Sequence, residues 1–156
     1  MNFKNPQLLF LSLFGAGFFP RAPGTFASLI SLIPLYLLHK FNVHVLLFAF
    51  IFILLVLISC LCINQFQKKY NLHDPSWIVI DEFLGIILFF PFIINFNAYH
   101  LLSAFVLFRI FDIIKIFPAS YFDKIDNGYG VVIDDIVSSI YAISVYRVLF
   151  LIVDFL

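Results

Sequence analysis

The chain has 156 residues, 63% of them hydrophobic and 12% charged, with a formal net charge of zero and a mean hydropathy of +1.09. That leaves too little polar surface to cover a soluble domain of this size, so the chain is expected to live in a bilayer, as a single domain over residues 1–156. The balanced charge offers no basic footprint for nucleic acid, and nothing in the sequence points to a protein partner.

Lys4 precedes an apolar stretch from Leu8 to Phe14 and then Gly15-Ala16-Gly17, the outline of a secretory signal. Cleavage there would leave a strongly apolar chain, so the segment is expected to be retained. Leu8 to Phe19 is short and interrupted by glycine, and is expected to lie in the interface or re-enter. Phe26 to Leu38 is also short and spans only with tilt and thinning. Val43 to Ile63 carries no formal charge over a length that matches the ~20 residues needed to cross the hydrocarbon core, and is predicted to be a spanning helix. Cys60 and Cys62 fall inside it and read as small hydrophobes.

Phe83 to Phe108 is uncharged as well, but Pro91, Asn95, Asn97 and His100 break its middle. Turn-formers there predict a helical hairpin with arms Ser76–Ile94 and Ala98–Phe117. The last span, Val131 to Val153, opens on Asp134-Asp135, and Arg147 lies about 18 Å further along a helix, where it reaches the opposite interface. The fold class expected is all-α, a polytopic membrane bundle with about four to five membrane-associated helices.

If the loop holding Lys68-Lys69 is cytoplasmic, alternation of the spans puts Arg21, Asp81-Glu82, Lys115, Lys124 and Asp134-Asp135 on the same side and leaves Lys40 outside, the positive-inside arrangement. Polar blocks far apart in sequence then converge on the cytoplasmic face.

Those blocks carry the chemistry. Carboxylates beside a spanning stretch are costly and mark a polar site, a metal or a substrate path. Asp81-Glu82 and Asp134-Asp135 open separate apolar helices, and four carboxylates from two helices suit a hard divalent cation such as Mg²⁺. The plainer reading is helix N-terminal capping. In Pro20-Arg21-Ala22-Pro23-Gly24-Thr25, two prolines and a glycine fix a turn, Thr25 can cap the next helix, and the helix start with Arg21 suits a phosphate. A rigid inter-helix turn is the alternative. Arg109, Asp112 and Lys115 allow either a structural ion pair or two cations on a phosphate. His73-Asp74 offers a general acid or a structural histidine.

Taken in order, Gly15-Ala16-Gly17-Phe-Phe-Pro20-Arg-Ala-Pro23-Gly24-Thr25, His73-Asp74-Pro75 with Asp81-Glu82-Phe-Leu-Gly85, Arg109-Ile-Phe-Asp112-Ile-Ile-Lys115 and Gly128-Tyr-Gly130-Val-Val-Ile-Asp134-Asp135 resemble the motifs of the phosphatidylglycerophosphatase A family. The four motifs bracket residues 15 to 139. The resemblance implies a Mg²⁺-dependent lipid phosphatase of the bacterial inner membrane that removes the terminal phosphate from phosphatidylglycerophosphate and leaves phosphatidylglycerol. There are departures from the family pattern. Ile116 follows Lys115 where the family commonly has Pro, and Ala27 and Ser139 stand where it often has Gly. Every candidate metal and phosphate group is retained.

On this reading Mg²⁺ is held by Glu82, Asp134 and Asp135, while Arg109, Lys115, Arg21 and Thr25 meet the substrate phosphate. Asp81 orients a water or itself attacks, and His73, Asp74, Asp112 and Gly24 support the site. A small transporter, or a membrane scaffold without catalysis, is the rival reading. A transporter would place its carboxylates near mid-membrane on broken helices, whereas these sit at span ends.

Overall fold

The computed structural model describes residues 5–71 and 75–155. The described residues are helical and contain no strand. The order is α1 (Pro6–Leu11), a 3-10 turn (Ala16–Phe18), α2 (Pro23–Ile30), α3 (Leu32–Lys40), α4 (Val45–Tyr70), α5 (Ile80–Ile87), α6 (Ala98–Ile114), α7 (Ala119–Phe122) and α8 (Gly128–Phe155).

α8 is the centre of the bundle, packing against α4, α5, α6 and α7. Its start is fixed by two asparagines. Asn127 Oδ1 accepts from the N–H groups of Tyr129 and Gly130, both at 2.9 Å, and Asn64 Oδ1 accepts from Gly128 N–H at 2.8 Å. These side chains satisfy helix-start donors that have no partner within the helix. In the middle, Gly85 lets α5 close on α6 and α8. A Cβ there would run into the Phe108 ring and lie 2.9 Å from Ser139 Oγ, which itself donates to the Gly85 carbonyl at 2.8 Å.

α4 and α8 are long and apolar enough to cross a membrane. α4 buries Ser59, Cys60, Ile63 and Phe66 against its neighbours, while Leu46, Phe50, Ile53 and Leu61 face outward, each more than half exposed. Such an apolar outer face belongs in lipid and not in water. Cys60 and Cys62 are free thiols, and Cys60 packs in the core with Ile63 and Val132.

Two expectations about elements change, and a third segment gains detail. The arm Ser76–Ile94 is not a full helix: α5 ends at Ile87, and the chain turns through Leu88–Asn97. Phe89 and Phe90 tighten to bonds three residues back, on Ile86 and Ile87, and Pro91 then has no N–H to continue the ladder. The short segment Phe26–Leu38 becomes α2 and α3, broken at Ser31. Its hydroxyl bonds back to the Ala27 carbonyl at 2.7 Å, and Pro34 leaves the Ile30 carbonyl without its helical partner. In Leu8–Phe19 a six-residue helix gives way to left-handed backbone at Leu13, Phe14 and Gly15. That segment braces the site by gripping the approach to α5. Val79 N–H donates to the Leu11 carbonyl at 3.0 Å, and Phe18 stacks on Trp77 at 5.7 Å.

Away from the polar motifs, α6 and α8 share a buried polar node. The Tyr146 hydroxyl lies 2.6 Å from His100 Nδ1 and accepts from Ile94 N–H at 3.2 Å. Asn97 Oδ1 caps α6 through His100 N–H at 3.1 Å.

Candidate active site

The starts of α2, α5 and α8 meet the end of α6 around a cavity of about 460 Å³. Its wall carries seven carboxylates (Asp81, Glu82, Asp112, Asp123, Asp126, Asp134 and Asp135) against three cations, Arg109, Lys115 and Lys124. Adjacent residues on a helix point about 100° apart, so how each helix is rotated decides which member of an acidic pair faces its neighbour. α5 turns both Asp81 and Glu82 inward, whereas α8 turns Asp135 toward them. One carboxylate oxygen from each of Asp81, Glu82 and Asp135 lies within 4.8 Å of the others.

Asp134 takes a different partner. Its Oδ2 accepts from Lys115 Nζ at 2.6 Å, and its Oδ1 accepts from Asp135 N–H at 2.9 Å. The metal group expected from the sequence is Glu82, Asp134 and Asp135, whereas the three carboxylates that the structure gathers are Asp81, Glu82 and Asp135. The reason is the rotation of α8 together with the reach of Lys115.

Lys115 closes α6 in a left-handed conformation, φ 48°, which swings its side chain back over the site. It bonds Asp123 as well as Asp134. Burial works against its charge, but the bonds to Asp123 and Asp134 outweigh burial and hold the ammonium protonated well above its usual range.

Arg109 Nη1 meets Asp112 Oδ2 at 2.6 Å, three residues on, and reaches Ser28 Oγ on α2 at 3.5 Å. The structural ion pair is thus formed, yet Arg109 Nε is buried with no hydrogen-bond partner. α2 begins at Pro23 after a left-handed Ala22, φ 51°. Thr25 is accordingly not the cap but lies in the first turn, on the cavity wall with Gly24. A Cβ on Gly24 would strike Glu82 Oε1 and lie 3.5 Å from Arg109 Nη1, so glycine is what lets the α2 start approach the acidic group.

Arg21 is exposed and is not part of the cavity wall. His73 and Asp74 lie outside the described residues. The sequence reading missed Asp123 and Asp126 as wall residues and used Lys124 only for orientation. They sit in a short polar connection, and the one available signal was their closeness in sequence to Lys115.

Does this group fit a divalent cation? Glu82 Oε2 and Asp135 Oδ2 are buried with no hydrogen-bond partner. Unit charges at 4.8 Å repel by about 3 kcal/mol per pair at an effective dielectric of about 20. Three carboxylates held this close, with one oxygen of Glu82 and one of Asp135 left open, have the donor set of a hard divalent ion.

The model of the phosphatidylglycerophosphatase A family matches residues 9–150 of the chain. The chain belongs to this family. A phosphatidylglycerophosphatase A of Haemophilus influenzae is 38% identical to it over 147 residues, covering 93% of this chain and 89% of its own. The Escherichia coli phosphatidylglycerophosphatase A is 33% identical over 90% of this chain and 81% of its own. A putative phosphatidylinositol-3-phosphatase of Bacteroides thetaiotaomicron is 32% identical over 83% of this chain and 84% of its own. No solved structure matches the chain. Of the departures from the family pattern, Ser139 ties α8 to α5 through its bond to the Gly85 carbonyl.

Proposed function

We propose that this chain hydrolyses the terminal phosphate monoester of phosphatidylglycerophosphate to give phosphatidylglycerol, with Mg²⁺ as cofactor. The observation that carries the reading is the acidic group of Asp81, Glu82 and Asp135 beside Arg109 and Lys115 in one cavity. Family membership supports it, since the relatives' names denote phosphatases of phospholipids.

In this reading Asp81, Glu82 and Asp135 would hold the ion, which when bound polarises the phosphoryl oxygens and offsets their charge. The chain's own groups do the rest. The N–H groups of Gly24 and Thr25 at the open start of α2 receive phosphate oxygens. Arg109 presents a planar fork, anchored by Asp112, and Lys115 adds a point charge held in place by Asp123 and Asp134. Asp81, which opens onto the cavity, orients the attacking water. Once the phosphate is bound, Lys115 has an anion to meet in place of a protein carboxylate.

The site is proposed to face the cytoplasm from a bacterial inner membrane that the chain crosses several times, with α6 and the α2–α3 pair joining α4 and α8 in the bilayer. Lys68-Lys69 at the end of α4, Lys115 and Lys124 support this orientation by the positive-inside rule.

The test is phosphate release from phosphatidylglycerophosphate in detergent micelles before and after chelation. Turnover is expected to disappear in chelator and return with Mg²⁺. Undiminished turnover in metal-free protein overturns the cofactor, and no release under any condition overturns the reaction.

A further inference from the structure

Near the cavity lies a second opening, an apolar groove of about 260 Å³ between α3, α4 and α5. We propose that this groove seats one acyl chain of the phospholipid whose phosphate enters the cavity; the proposal rests on reading the chain as a phospholipid phosphatase.

Two structural elements join the openings. The α2–α3 pair lines the cavity with Gly24 and Thr25 and, past the break at Ser31, lines the groove with Pro34 and Leu38. α5 presents Asp81 and Glu82 to the cavity and Phe83 and Ile87 to the groove. The third wall is the stretch of α4 from Phe48 to Leu55, about 10 Å long, which runs lengthwise as a tail would. No charged residue among the described ones lines the groove, while the cavity wall is strongly charged, with Arg109, Lys115 and Lys124 beside seven carboxylates. With the acidic group offset by a divalent cation as proposed above, a ligand with an anionic head and an apolar tail matches both openings at once.

Lipid tails are as apolar as the groove, so burial there brings no transfer from water. What the groove supplies is position. A seated tail fixes the height and rotation of the head group, and orientation of a reacting group is worth orders of magnitude in rate.

The experiment fills the groove and compares tail lengths. Leu38→Trp, measured on phosphatidylglycerophosphate with oleoyl tails and on the same head group with butanoyl tails too short to reach, is expected to lower kcat/KM about tenfold for the long substrate and less than twofold for the short one. Unchanged values for both overturn the proposal.

If both fall together, the variant is damaged and a second measurement decides. Trp77 is the single tryptophan of the chain, so Ile51→Trp on the groove wall in a Trp77→Phe background gives a local fluorescence reporter. Substrate lipid with brominated tails is expected to quench it at least threefold more than brominated phosphatidylcholine at the same mole fraction. Equal quenching means that the groove holds bulk lipid only and overturns the proposal. A wild-type protein that hydrolyses neither substrate breaks the phosphatase reading instead, and the quenching then judges the groove alone.

Discussion

The two polar regions of the bundle, about 17 Å apart along α8 by its rise per residue, are built on opposite terms. At the far node, His100, Tyr146 and the Ile94 amide satisfy one another through hydrogen bonds. At the cavity, carboxylates crowd together and leave Glu82 Oε2 and Asp135 Oδ2 buried without a hydrogen bond. Folding alone favours the first arrangement, since an unmade buried hydrogen bond costs about 1–3 kcal/mol. The second is what a bound ligand would complete, so on the proposed function the comparison separates a group kept for the fold from a group kept for the reaction.

Asp135→Asn and Glu82→Gln break that contrast most sharply. Each is expected to lower turnover by about a hundredfold or more, as loss of a main electrostatic group does. The metal-free unfolding midpoint should hold or rise, because one repelling charge is gone. A fall in midpoint, measured by thermal unfolding in chelator, would make these residues structural. Tyr146→Phe should do the reverse. Removing the hydroxyl strands His100 Nδ1 and the Ile94 amide, and is expected to cost about 1–3 kcal/mol of stability with turnover within twofold.

Arg109→Lys sharpens the boundary between the two kinds of group. It keeps the charge that meets Asp112 but loses the planar fork, so kcat/KM should drop about tenfold while the Mg²⁺ concentration for half-maximal activity stays put. Full activity would leave Arg109 as the ion-pair partner of Asp112 and nothing more. The smallest effect belongs to Asp123→Asn. Asp123 is about half exposed, and Lys115 keeps Asp134, so a loss of about two- to fivefold, seen mainly in KM, is expected.

Residue type and spacing made much of this site readable in advance. The acidic pairs, the Arg109-x-x-Asp112-x-x-Lys115 run and the turn at Gly24 come together at one cavity. α4 and α8 were plain from long apolar runs. What stayed hidden depends on tertiary placement. Nothing local says how α8 is rotated, so Asp134 and Asp135 could not be told apart. Hydropathy could not distinguish a spanning arm from α5 and its turn, because Leu88–Ile94 is apolar in either case. Asp123 escaped because it becomes part of the wall only through the left-handed turn at Lys115.

The outward face of α4 also bears on how the protein is made. Its core window has a mean hydropathy of 3.3, against 1.7 for α8, and it keeps most of its side chains for lipid. α4 can therefore leave the translocation machinery and settle in the bilayer alone. α8 carries Asp134 and Asp135 near its start, and carboxylates there are costly to bring to a bilayer unpaired. Its acidic start becomes cheap to hold only after α6 has delivered Lys115, which bonds Asp134. The chain order, with α6 emerging from the ribosome before α8, supplies that cation first, so the site's own charges set the order in which its walls are assembled.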